Sequence, residues 1–78
     1  MNLTPSEKKI IADLLVNGDN VAGNISDETG VTPNYVSRLL ADLESKGLTE
    51  SKVRGVYTLT ISGVAVGRNI VDEYELGE

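Results

Sequence analysis

Apolar positions along this chain follow two different periods, and the change between them organises it. Ile10, Ile11, Leu14 and Leu15 fall on one face at about 100° per residue, the mark of an amphipathic helix. Its start is written in Thr4-Pro5-Ser6-Glu7. Thr4 can cap, Pro5 suits the first helical position, and Glu7 stands where a capping box wants a carboxylate. Asn17-Gly18 stops it. Asp19-Asn20 reads as the cap of a short second helix to about Thr29, with Val21, Ala22 and Ile25 facing inward. Gly23 weakens its first turn by about 1 kcal/mol relative to Ala, and Gly30 follows as the residue past its end.

Val31-Thr32-Pro33 repeats the start signal, with Thr32 as cap and Pro33 in the first turn. The third helix runs to about Lys46 and ends at Gly47, and Val36, Leu39, Leu40 and Leu43 form one tight apolar stripe along it. Only a short, glycine-containing gap separates it from the second helix, which is the spacing of a helix-turn-helix. From Leu48 to Thr60 the period becomes that of strands. Val53, Val56, Tyr57, Thr58, Leu59 and Thr60 are strand formers, and Arg54-Gly55 sits between two runs as a two-residue hairpin turn. A final helix extends from about Ile61 to Glu75. The predicted order is helix, helix, helix, hairpin, helix: a mainly α chain with a small β-hairpin (α+β), arranged as a winged helix-turn-helix. One domain covers 1–78.

Composition narrows the chemistry. The chain has 78 residues, no Cys and no His, which removes disulfides, thiol catalysis, the commonest general base and the commonest zinc ligand. Only Ser, Lys and carboxylates remain for catalysis, without a glycine-rich phosphate loop, so an enzyme is not expected. No cofactor, metal or small-molecule ligand is implied either. No apolar run reaches the roughly 18 residues of a membrane span, and Met1–Asn17 lacks a signal-peptide pattern. The expectation is a cytoplasmic protein with no membrane partner. A chain this small buries roughly 60% of its unfolded surface, so a second subunit would steady it.

A net charge of −5 speaks at first against a nucleic-acid partner. Position alters that picture. Acids dominate residues 1–30 (Glu7, Asp13, Asp19, Asp27, Glu28) and 71–78 (Asp72, Glu73, Glu75, Glu78). The middle holds Arg38, Lys46, Lys52, Arg54 and Arg68 against Asp42, Glu44 and Glu50.

In a helix-turn-helix the second helix of the motif lies in the major groove and reads base edges with its N-terminal residues. On the third helix, Asn34, Ser37, Arg38 and Ala41 lie opposite the apolar stripe. Asn pairs bidentately with adenine and Arg with guanine, while Ala can touch a thymine methyl. Tyr35 flanks this face, where it can bond a phosphate or stack on a sugar. Thr32 stands where helix N-termini meet phosphate oxygens. Asp42 and Glu44 fall in the second half of the helix and spare its reading end. Lys52 and Arg54 flank the hairpin tip, where a wing at 52–56 meets backbone phosphate or minor groove. The plain alternative for such cations is edge protection of a hairpin, and Lys8 and Lys9 read as solvated.

In the last helix Val64, Val66, Ile70, Val71 and Tyr74 cover an arc wider than the roughly 100° stripe of a one-sided surface helix. One side is expected to pack on helix one. Val66 and Ile70, with Tyr74 at the border, are expected to stay wet in a monomer and to form a homodimer seam. Gly63-x-x-x-Gly67 also permits close helix approach, more often inside a subunit than between subunits.

Val31-Thr32-Pro33-Asn34-Tyr35-Val36-Ser37-Arg38-Leu39-Leu40, then Leu43, Gly47-Leu48 and Arg54-Gly55-Val56-Tyr57-Thr58-Leu59-Thr60, resemble archaeal winged-helix regulators. The likeness is to small haloarchaeal proteins related to a phage repressor, and it covers roughly residues 5–75. It implies sequence-specific binding of double-stranded DNA by the third helix, usually as a dimer. Asn34, Tyr35, Ser37 and Arg38 match the reading helix, and Arg54 the wing arginine. Leu39 stands where the family often has a second basic residue. The closing helix begins more apolar than usual, at Ile61-Ser62-Gly63-Val64-Ala65-Val66. A salt-loving source would account for the acidity. Two functions follow as expectations: a repressor-like transcriptional regulator, or a winged helix used only to bind other proteins. Acids beside Asn34 and Arg38 would suit the second, and none is there.

Overall fold

The computed structural model describes residues 2–76, with side chains from Asn2 to Glu73. Helix α1 spans Pro5–Asn17, strand β1 Asn20–Val21, α2 Ala22–Thr29, α3 Pro33–Ser45, β2 Thr49–Val53, β3 Val56–Leu59 and α4 Ile61–Leu76. The three strands form one antiparallel sheet in the order β1-β3-β2.

Local chemistry sets most of the helix ends. At α1 both halves of the capping box form: the Glu7 N–H donates to Thr4 Oγ1 at 3.2 Å, and the Thr4 N–H donates to Glu7 Oε1 at 2.9 Å. Gly30 ends α2. Thr60 stands just past β3 and acts as a cap, correcting its reading as a strand residue. Its hydroxyl donates to the Gly47 carbonyl at 2.6 Å and accepts from the Gly63 N–H at 3.0 Å. A threonine suits a strand and a cap equally, and here the four N–H groups left open at the start of α4 decide.

The second helix begins later than its sequence suggests. Asp19-Asn20 does not cap it; Val21 occupies the cap position with no side-chain bond. Asn20 and Val21 instead pair with Tyr57 and Val56 of β3. The Asn20 side chain turns back to accept from the Val21 N–H at 2.9 Å and from Asn24 Nδ2 at 2.9 Å. Val21, expected to face inward, is exposed. Pairing with a distant strand has overridden a local capping signal.

The core joins Ile10, Ile11 and Leu14 of α1, Ile25 of α2, and Val36, Leu39, Leu40 and Leu43 of α3 with Leu48 and Ile70. Ile70 is the second correction. Expected to stay wet, it is only 4% exposed, and Val66 is half-buried against the core. The cause is the close seating of α4. A Cβ at Gly63 would collide with the Leu48 carbonyl oxygen, and one at Gly67 would stand 3.2 Å from Ile11 Cγ2. The two glycines let α4 close onto α1 and the α3–β2 corner, and that carries Ile70 inside. The Tyr74 side chain lies outside the described residues.

Candidate nucleic-acid interface

The turn before α3 is built from side chains. The Ser26 hydroxyl donates to the Val31 carbonyl, Thr29 Oγ1 donates to the Ile25 carbonyl at 2.7 Å, and the Val31 N–H donates to Thr29 Oγ1 at 3.3 Å. Ser26 is buried, so the polar groups of this turn are satisfied internally and the angle between α2 and α3 is held. Ser26 and Thr29 escaped the sequence reading. Their signal was faint: two hydroxyls in the last turn and a half of a helix, where such residues bond local backbone.

Beyond that turn, Val36, Leu39, Leu40 and Leu43 point into the core. The same periodicity leaves Thr32, Asn34, Tyr35, Ser37, Arg38 and Ala41 exposed, with Tyr35 at 43%. Thr32 takes the cap position of α3, but its side chain makes no capping bond. The hydroxyl and the first N–H groups of α3 are therefore unused within the helix end, an arrangement that favours an anion. Asp42 and Glu44 lie on the later turns.

The wing is a bulged hairpin. Glu50 pairs with Thr58 and Ser51 with Tyr57, whereas Val53 pairs with Val56, so Lys52 is the extra residue. Arg54 and Gly55 make the tip, and Gly55 adopts φ 76°, a left-handed conformation that glycine takes without a Cβ penalty. Arg54 is exposed at this tip. Among the described residues neither Arg38 nor Arg54 enters an ion pair, while Lys52 donates to Asp19 Oδ2 at 3.1 Å. Asn34, Ser37 and Arg38 thus share one face, Tyr35 and Thr32 border it, and Lys52 is turned toward the body of the domain.

Two further features escaped the sequence reading. Glu7 is 3% exposed and bonds Lys46, the cap residue of α3. Between α1 and α2, Asp13 and Glu28 bring carboxylates together, and desolvation followed by the Asp13 charge pushes the Glu28 carboxyl above its ordinary range. Beside α1 and α4, Leu3, Lys8, Val66, Asn69, Ile70 and Glu73 line a groove of about 520 Å³. Among the described residues no helix is long and apolar enough to cross a membrane.

No protein-family model matches the chain, and no curated protein matches it closely. Solved structures do. A mutant of ZitR from Lactococcus lactis superposes with a TM-score of 0.89 at 20% identity, covering 99% of this chain and 56% of that one. Ligand-free NadR gives 0.85 at 24% identity, covering 95% and 56%. A MarR family protein of Mycobacterium tuberculosis gives 0.80 at 23%, covering 90% and 53%. The chain spans a little over half the length of each of these neighbours. At such identities the likeness is one of fold, and that fold is the winged helix-turn-helix.

Proposed function

We propose that this chain is a sequence-specific, DNA-binding transcriptional regulator of the repressor-like kind, working in the cytoplasm as a homodimer and not as an enzyme. Helix α3 lies in the major groove. Asn34, Ser37 and Arg38 face base edges, while Thr32 and Tyr35 meet phosphate and sugar. Arg54 at the wing tip meets the backbone, with Lys52 behind it. The observation that carries this reading is the outer face of α3. In a chain of net charge −5 it is exposed, free of acids over its first turns, and bears an arginine in no ion pair among the described residues. The resemblance of 31–60 to archaeal phage-repressor-like regulators supports the repressor-like part.

Two copies offer two reading helices to a palindrome whose half-sites lie about 34 Å apart. Ile70 is committed to its own core, so the seam draws instead on the groove beside α4. There Leu3 and Val66 supply apolar surface, and Lys8 and Glu73 supply opposite charges that a second copy of the chain can pair with. Selection of bound sequences from a random DNA pool tests the proposal, with a palindrome as the expected outcome. If Arg38→Ala and Arg54→Ala together leave DNA retention unchanged at modest salt, the reading is wrong.

A further inference from the structure

Among the described residues Lys52 is the one wing cation that is held, and what holds it comes from outside the wing. Asp19 sits in the turn between α1 and β1, one residue before the strand that pairs with β3. Its carboxylate reaches past β3 to the Lys52 ammonium on β2, at 3.1 Å. The Thr58 hydroxyl and then Lys52 hold the Asp19 carboxyl below its ordinary range, against a smaller push from desolvation. The bulge at Lys52 aims its side chain at that partner, because the extra residue leaves the regular alternation of the strand. The neighbouring Glu50 is exposed on the same strand, so the only cation on β2 stands among acids.

We propose that Asp19 is an autoinhibitory latch on the wing: it keeps the Lys52 ammonium against the body of the domain, and phosphate must displace it before the wing engages fully. The latch rests on the DNA-binding reading given above. Both side chains are open to water, 63% for Lys52 and 38% for Asp19, so the contact is one that a phosphate can exchange for. An exposed pair of this kind favours its closed form only about two- to fivefold. The latch therefore tunes affinity and its salt dependence; it does not shut binding off.

The test is a double-mutant cycle read by fluorescence anisotropy. Wild type, Asp19→Asn, Lys52→Gln and the double variant are titrated onto a labelled random-sequence duplex and onto a duplex recovered by selection, over a series of salt concentrations. Asp19→Asn is expected to bind about two- to fivefold tighter at low salt, and its advantage is expected to shrink as rising salt screens the Asp19–Lys52 pair of the wild type. In the Lys52→Gln background the gain is expected to vanish. A gain of equal size there overturns the latch, because simple removal of negative charge then accounts for it. Binding that depends on Arg38 but is indifferent to Asp19→Asn also overturns the latch, and leaves the DNA-binding reading standing. Wild type and Asp19→Asn both failing to bind either duplex overturns both. Circular dichroism of each variant confirms the fold, and Asp19→Ser serves as a second removal of the carboxylate.

Discussion

Lys46 Nζ lies 2.7 Å from Glu7 Oε2, and the pair ties the first turn of α1 to the C-terminal cap of α3, 39 positions away. Glu7 is buried, whereas the Lys46 side chain is about one-third exposed. Burial alone would push the Glu7 carboxyl up. The Lys46 and Thr4 bonds outweigh it and hold the group below its ordinary range. One carboxylate thus caps α1 with Oε1 and anchors α3 with Oε2.

Lys46→Met keeps most of the side-chain stem but strands the Glu7 charge. Removing one partner of a fully buried pair costs about 3–5 kcal/mol; with Lys46 partly in water, about 1–3 kcal/mol is expected by chemical denaturation at pH 7. Because the folded-state pKa of Glu7 is depressed, its contribution is complete above the ordinary carboxylate range and is lost as pH falls through the depressed value. The gap between wild type and Lys46→Met is therefore widest at neutral pH and narrows in acid. A gap that stays constant with pH would mean the two groups are not coupled.

Arg38 and Arg54 should fail in different ways. If Arg38 reads a guanine, Arg38→Ala loses about 1–3 kcal/mol on the selected duplex and little on a random one. Arg54 sits on the wing tip, where the proposed contact is with phosphate. Arg54→Ala should weaken both duplexes alike and reduce the salt slope by about one unit for each chain. Titrations at several salt concentrations separate the two, and equal losses on both duplexes for Arg38→Ala would remove its base-reading role.

Where sequence and structure agree, the deciding interactions are local. Thr4 and Glu7 lie within one turn of each other, Gly30 and Thr32 bracket a short loop, and the stripe from Val36 to Leu43 needs only helical periodicity. The outer face with Asn34 and Arg38 follows from the same periodicity. The disagreements belong to contacts between distant segments. Asn20-Val21 becomes a strand because Val56-Tyr57 offers it a partner. Ile70 turns inward because Gly67 lets α4 approach Ile11 and Leu15. Lys46, read as a charge at the end of the third helix, and Lys52, read as a wing contact, are each claimed by an acid from α1 or the turn after it. No periodicity within a single element carries that information.

The buried position of Ile70 and the close seat of Gly63 make predictions that a dimer seam would not. Ile70→Ala removes core volume and should cost about 2–5 kcal/mol, with a midpoint that shifts equally at all protein concentrations. Gly63→Ala places a methyl against backbone, the Leu48 carbonyl, which cannot swing aside as a side chain can. It should destabilise the fold more than Gly67→Ala, whose neighbours are the side chains of Ile11 and Leu15. Thermal unfolding of the variants across a range of concentrations checks this. A loss for Ile70→Ala that is present at high concentration and fades on dilution would return Ile70 to the interface between chains.

Asp13 and Glu28 supply the opposite pH dependence to Glu7. Asp13 Oδ1 accepts from Asn17 Nδ2 at 2.6 Å, but its Oδ2 is buried and has no donor. Glu28 Oε1 accepts from Asn20 Nδ2 at 3.1 Å. When both carboxyls are ionised neither can donate to the other, and a proton between them would satisfy Oδ2. With the folded-state pKa of Glu28 raised, chiefly by desolvation and then by Asp13, the folded state takes up that proton before the unfolded chain does. The stabilisation this brings is complete below the ordinary carboxylate pKa and is lost as pH rises through the raised value. Glu28→Gln keeps the shape and places an N–H donor beside Asp13 at every pH. Its melting temperature should exceed that of wild type at pH 7, and the advantage should shrink as the pH is lowered toward the carboxylate range. Equal melting temperatures at pH 7 for Glu28→Gln and wild type would show that the two carboxyls do not act on each other.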